Sequence, residues 1–144
     1  MSDSLDREAC AALLTDVHVG VLGISRRVPA PLLVPVWYLF EDEVVRLIIM
    51  TGSLKHKVLL RSGFASLCVQ EEQLPYRYTT VEGPVSIGAV SSDFILRLAT
   101  RYLGAAVAGS YAPGVRPTEH VLVELSPERW LSDAFPLAYF GLTP

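Results

Sequence analysis

Between residues 17 and 135 the chain offers one extended, apolar run after another, with only two gaps long enough to hold a helix. The runs are 17–24 (VHVGVLGI), 28–40 (VPAPLLVPVWYLF), 43–51 (EVVRLIIMT), 65–71 (ASLCVQE), 76–90 (YRYTTVEGPVSIGAV), 119–125 (EHVLVEL) and 129–135 (RWLSDAF). Parallel strands need a crossover of a dozen or more residues, usually a helix, and that βαβ rhythm is missing. The spacing therefore predicts a mainly β domain of six or seven antiparallel strands with about three helices. So many strands in a small domain favour a closed or partly closed barrel, because closure removes unpaired edges.

Local signals fill in the pieces. Residues 4–16 read as a helix, with Ser4 able to cap, Asp6 and Glu8 in the first turn, and Leu5, Ala9 and Leu13 on one face. A third helix begins at 91–93 (SSD), carries Phe94, Leu98 and Tyr102 on one face and stops at Gly104. Pro35 cannot donate to a ladder, so it marks an edge or a bulge. Gly20 and Gly23 suggest close backbone approach. The EDE at 41–43 makes runs two and three a hairpin. Residues 104–118, rich in Gly, Ala and Pro, read as a long loop, and loops of that length are usually functional or mobile.

The 144 residues suffice for one domain, 1–144. A net charge of −3 leaves no general basic field, which argues against nucleic acid as a partner. With 51% hydrophobic and 19% charged residues, the chain is apolar for a small soluble monomer, and a buried homodimer interface would absorb the excess. The N-terminus, MSDSLDREAC, is acidic and lacks the basic n-region of a signal peptide. No uncharged run reaches the roughly 18 residues of a membrane span. Cys10 and Cys68 have no CxxC spacing and read as reduced, buried thiols of a cytoplasmic protein, and no metal site is expected.

Residues 51–63, TGSLKHKVLLRSG, hold the only two lysines, Lys55 and Lys57, of a chain with ten arginines. Ser53 stands at the N-cap position of a helix that starts LKHKVLL. The third helical residue is His56 rather than Glu, so the capping box is absent. Cations in a first turn oppose the helix dipole. A bound anion reverses the sign, and free N–H groups, Ser and Thr hydroxyls and two ammonium groups together suit a phosphate. In PLLVPVWYLF, Trp37 and Tyr38 must point to opposite sides, so only one can face a given pocket. P-loop, dinucleotide-fold, nucleophile-elbow and HExxH signatures are all absent; GAAVAGS (104–110) has Walker-like glycines but Ser110 in the lysine's place.

The order GVLGI, PLLVPVWY, IIMTGS, LKHKVLL, ASLCV, PYRYTTVEGPVSI resembles the pyridoxamine 5′-phosphate oxidase-like superfamily, and within it the flavin/deazaflavin-dependent oxidoreductase branch. The resemblance spans residues 19–134. It implies a split β-barrel of FMN-binding type, a homodimer with two cofactor sites at the subunit junction. It implies that Pro35, Val36, Trp37 and Tyr38 lie along the cofactor ring. Thr51, Ser53, Lys55 and Lys57 would hold the phosphate, and Tyr76 would reach a substrate in the partner's site. The deazaflavin coenzyme F420 is favoured slightly, with FMN as the alternative. Val58 and Leu59 stand where relatives often carry Asn or Arg. The substrate-holding Arg/His set of true pyridoxamine phosphate oxidases is not recognisable, so vitamin B6 oxidation is not expected. The implied activity is hydride transfer between the cofactor and a small conjugated substrate, with no catalytic acid or base assigned. A non-catalytic module that carries or senses a flavin, deazaflavin or haem-like ligand is the alternative, and a barrel serving only assembly is the blandest reading.

Overall fold

The structure, a computed structural model, describes residues 3–144. Eight strands and four α-helices are present among the described residues: α1 (Arg7–Thr15), β1 (Gly20–Ile24), β2 (Leu32–Val36), β3 (Leu39–Glu41), β4 (Val44–Met50), α2 (Leu54–Ser62), β5 (Phe64–Glu71), β6 (Arg77–Gly88), α3 (Ser92–Leu103), α4 (Ala105–Tyr111), β7 (His120–Leu125) and β8 (Arg129–Ala134). All pairings are antiparallel. Along the sheet the order is β2-β1-β5-β6-β7-β4-β3, with β8 also on β6. The two ends of that order, β2 and β3, are consecutive in the chain, so residues 37 and 38 bridge the open side of a curled, split barrel.

That bridge is where the single run 28–40 divides, giving one strand more than the sequence suggests. Pro35 lies in β2, which pairs with β1 alone and is an edge, as proline requires. β6 is the long bent strand shared by both halves. Its residues 77–82 pair with β8 and its residues 85–88 with β7.

The barrel interior is filled from every strand by alternation: Leu22 and Ile24, Val45, Leu47 and Ile49, Leu67 and Val69, Val81, Val123 and Leu125. Leu13 and Leu14 of α1 and Leu59 of α2 plug its ends. The helix α1 is capped by Asp6, whose carboxylate accepts from Ala9 N at 2.8 Å, and not by Ser4. Ser4 lies upstream, where the chain is already tied to β8 through the Asp3–Ala134 bridge.

Tyr38 belongs to this interior. It is 0% exposed and its hydroxyl donates to Leu14 O at 2.7 Å. Burial first, then the neighbouring Tyr102, pushes its phenol pKa far above the usual 10.0. In the unfolded chain the phenol ionises near that usual value while the folded chain keeps the proton. Stability is therefore full below pH 10.0 and declines as pH rises beyond it. Denaturation at stepped alkaline pH is expected to show this decline in the wild type and a shallower one in Tyr38→Phe. At neutral pH the same variant loses about 0.5–1.5 kcal/mol, because the Leu14 carbonyl gives up the Tyr38 bond and keeps only the longer one from Arg101 at 3.4 Å.

Residues 104–118 are not an irregular loop. Gly104, at φ 79°, turns the chain out of α3, and Ala105–Tyr111 winds as α4, followed by 3₁₀ turns at Ala112–Gly114 and Pro117–Glu119. Glycine and proline in this stretch signal a loop, but alanine is the best helix former. The small side chains of Ala108 and Ala112 let α4 press onto α3, where with Phe94, Ile95, Leu98 and Ala99 they make a second core outside the barrel.

Among the described residues no helix covers the outer face of β2-β1-β5-β6-β8. Across it the registers align Pro35, Val21, Cys68, Thr80 and Leu131 in one row. Val21, Leu33 and Leu131 on this face are 42%, 61% and 40% exposed. Cys68 is half-buried here and Cys10 is buried on the inner face of α1, and neither is in a disulfide.

Candidate functional site

Between the split barrel and the α3–α4 pair lies a cleft of about 460 Å³. Its floor is the β2 end, Pro35 and Val36, with Trp37 and the last residues of β4, Ile48, Ile49 and Met50. Ile95, Leu98 and Ala99 of α3 form one wall, with Tyr111 and Val115 beyond it. Lys55 and His120 supply the charged and titratable lining at the Met50 end, and among the described residues no carboxylate lines the cleft.

Trp37 is held flat by a chain of contacts that begins in the core. Its indole stacks on Tyr102 with ring centroids 5.0 Å apart and planes 5° from parallel, and Tyr111 meets it edge-on at 6.2 Å. The Tyr102 hydroxyl accepts from Tyr38 N at 3.1 Å and donates to His18 O at 2.7 Å. Next to it, the Arg101 guanidinium donates to the carbonyls of Thr15 at 2.8 Å and Asp16 at 2.7 Å, closing the C-terminus of α1. α3 is thereby locked to the barrel through Arg101 and Tyr102, and Ile95, Leu98 and Ala99, on the same stripe of the helix as Tyr102, face the cleft. The wall opposite Trp37 is rigid by construction.

The helix α2 begins as the sequence suggests. Ser53 is its N-cap, its hydroxyl accepting from His56 N at 3.3 Å. As expected there is no capping box, since Ser53 N donates to Met50 O at 3.2 Å; the His56 ring instead reaches past it, its Nδ1 accepting from Gly52 N at 2.9 Å. Imidazole replaces the usual Glu and binds one residue earlier, since its ring nitrogen lies closer to its own backbone than a Glu carboxylate does. The N–H groups of Leu54 and Lys55, in the first turn, have no helical acceptor. Lys55 extends from that turn into the cleft.

Four of the expected contact residues, Pro35, Val36, Trp37 and Lys55, are brought together here. Tyr38 is not; alternation at the β2–β3 junction sends it into the core and Trp37 into the cleft. Lys57 is exposed and lies off the cleft, two residues and about 200° around the helix from Lys55. Thr51 and Ser53 do not line it either. Thr51 is exposed, and its N–H continues the β4–β7 ladder by donating to Glu119 O at 2.9 Å. Tyr76 is 42% exposed and packs edge-on against Phe140 at 5.6 Å, away from this cleft within the same chain. Sequence reasoning missed His120, Met50 and the whole α3–α4 wall. The 3.6-residue period of α3 was visible, but periodicity says which face is apolar and not what stands opposite it.

An antiparallel split barrel with an aromatic-floored, singly cationic cleft at its open side defines a class by its architecture, the split β-barrel fold. No protein-family profile and no curated protein matches the sequence. Solved structures do. An F420 reductase superposes with a TM-score of 0.75 at 24% identity, covering 87% of this chain and 98% of that one. A FAD-binding protein from Mesorhizobium loti gives 0.71 at 19%, with coverages of 93% and 98%. A FAD and haem binding protein from Mycobacterium smegmatis gives 0.68 at 15%, with 94% and 75%. At these identities the likeness is one of fold. Among the described residues no helix is long and apolar enough to cross a membrane, and no cluster of His, Cys, Asp or Glu could hold a metal ion.

Proposed function

We propose that this protein binds a flavin-type cofactor in the Trp37 cleft and acts as an oxidoreductase on a small conjugated substrate. The single observation that carries the reading is the cleft itself: a flat indole fixed by Tyr102, apolar walls, and one ammonium at the end next to the first turn of α2. The lining fits such a group. Pro35, Val36 and Trp37 would lie along a planar ring, and Lys55 with the free N–H groups of the first turn would hold a phosphate. A flavin-type group, when bound, supplies the hydride chemistry. This chain's residues do the rest: Trp37 orients the ring, Leu98 and Ile95 exclude water from it, and Lys55 anchors the tail. The fold likeness to an F420 reductase supports placing the deazaflavin coenzyme ahead of FMN.

The bare outer sheet face supports the homodimer. Its apolar row of Pro35, Val21, Cys68, Thr80 and Leu131 runs to the edge strand that also floors the cleft. A second copy on that face would border the cleft and would place its own Tyr76 within the assembly. A carrier or sensor of flavin or haem is the second reading, favoured by the fold likeness to the FAD and haem binding protein.

Titration of the purified protein with F420 and with FMN, followed by quenching of tryptophan fluorescence, is expected to give saturable binding, with F420 the tighter. The sample should sediment at twice the 15.8 kDa chain mass. Absence of quenching with either cofactor would remove the proposal. Binding without turnover on any panel of conjugated acceptors would favour the carrier.

A further inference from the structure

His120 opens β7 directly opposite Met50, the last residue of β4, and both line the cleft together with Lys55. Its ring is not free to choose a tautomer. Nδ1 lies 2.8 Å from the Arg116 carbonyl oxygen, and a carbonyl only accepts, so Nδ1 carries the hydrogen. Nε2 is thereby left as the ring's open position, and it makes no hydrogen bond among the described residues.

We propose that Nε2 of His120 is a ligand-binding group of this cleft and that, with the Lys55 ammonium, it clasps the ligand's phosphate. The inference rests on the cofactor reading above and deepens it, since it names a contact and a selectivity. The charged ring donates to an ionised phosphate oxygen of a monoester or a diester, and the neutral ring accepts from the P–OH of a monoester such as FMN. Lys55 and His120 approach from different elements, α2 and β7, and both line the cleft with Met50, the register partner of His120. Two donors on independent supports fix a phosphate's position where one flexible ammonium would not. The remaining lining offers an anion nothing comparable. The hydroxyl of Tyr111 and the indole N–H of Trp37 belong to the aromatic end, and the other residues are apolar or contribute a thioether. The consequence is selectivity for the phosphorylated ring over the same ring without its phosphate.

His120 also ties residues 112–119 to the barrel through Arg116, so a simple deletion would confound two roles. The variant His120→Asn separates them. An Asn amide nitrogen occupies the place of Nδ1 and keeps the bond to Arg116 O, while nothing remains at Nε2. The measurement is Kd by fluorescence titration of wild type, His120→Asn and His120→Ala with FMN and with riboflavin. The deazaflavin coenzyme and its phosphate-free deazariboflavin form the second pair. His120→Asn is expected to bind the phosphorylated member of each pair about tenfold more weakly and the phosphate-free member within about twofold of wild type. If His120→Asn matches wild type on the phosphorylated ligands while His120→Ala is weaker, the residue only ties the Arg116 segment and the proposal is overturned. An equal loss on both members of a pair overturns it too, because the contact would then be with the ring. If wild type binds neither ring in either form, the cofactor reading itself fails and takes this inference with it.

Discussion

Replacing Gly83 with alanine is expected to destabilise the protein by about 3–4 kcal/mol, the largest effect of any single methyl in the chain. Gly83 sits at the bend of β6, where residues 126–128 cross from β7 to β8 over its Cα. A Cβ there would stand 1.9 Å from Ser126 O and 2.8 Å from Ser126 C. Those are backbone atoms and cannot rotate away as a side chain would. The crossing is also pinned on both sides, by Ser126 N donating to Pro84 O at 3.0 Å and Glu128 N to Glu82 O at 2.8 Å. Making room means lifting the strap and stretching both bonds, about 1 kcal/mol each, on top of the usual ~1–3 kcal/mol of overpacking. Against a total of ~5–15 kcal/mol, that lowers the melting temperature by roughly 10 °C. Thermal and urea denaturation measure it. The control is Gly88→Ala in the same strand, where a Cβ meets nothing within 4 Å and little change is expected. A Gly83→Ala melting point within about 2 °C of wild type would mean the strap is not held as drawn.

The largest expected effect on binding is an asymmetry between the two lysines. Lys55→Ala should weaken cofactor binding by about 30-fold, some 2 kcal/mol for a charge-assisted contact removed from a partly enclosed site. Lys57→Ala should change it by no more than about threefold, the effect of an exposed charge acting across solvent. Isothermal titration with FMN or F420 at a fixed ionic strength reads both. Equal losses from the two variants would contradict the placement of Lys55 in the cleft and Lys57 outside it. The sequence treats the pair as equivalent because both lie in the first turn of α2. The difference is one of azimuth. At about 100° per residue, two positions of separation send the side chains to nearly opposite faces.

The same distinction runs through the rest of the chain. Alternation and turn residues were legible: β1, β4, β5, β7 and β8, and the Ser53 and Ser91 caps, begin and end within a few residues of where pattern alone puts them. Pro35 announced its edge strand because a missing N–H is a local fact. What pattern could not supply was the break at residues 37 and 38. Each half of 28–40 is a good strand, and only the closing of the sheet on itself forces the chain to leave one edge and join the other. Nor could it supply α4, whose helix is stabilised by packing Ala108 and Ala112 against α3, a contact that composition rich in glycine and proline conceals.

The amino-acid sequence by itself determined the predominance of strands, their antiparallel pairing, the cap of α2 and the presence of a cation beside a helix start, because each follows from periods and groups within a few residues of one another. Tertiary structure alone decided that Trp37 rather than Tyr38 faces the cleft, that one lysine enters it, and that His120 arrives there from a strand some seventy residues away in the chain. Those outcomes depend on which faces the closed sheet turns inward, and a sheet's faces acquire an inside only once its strands have paired.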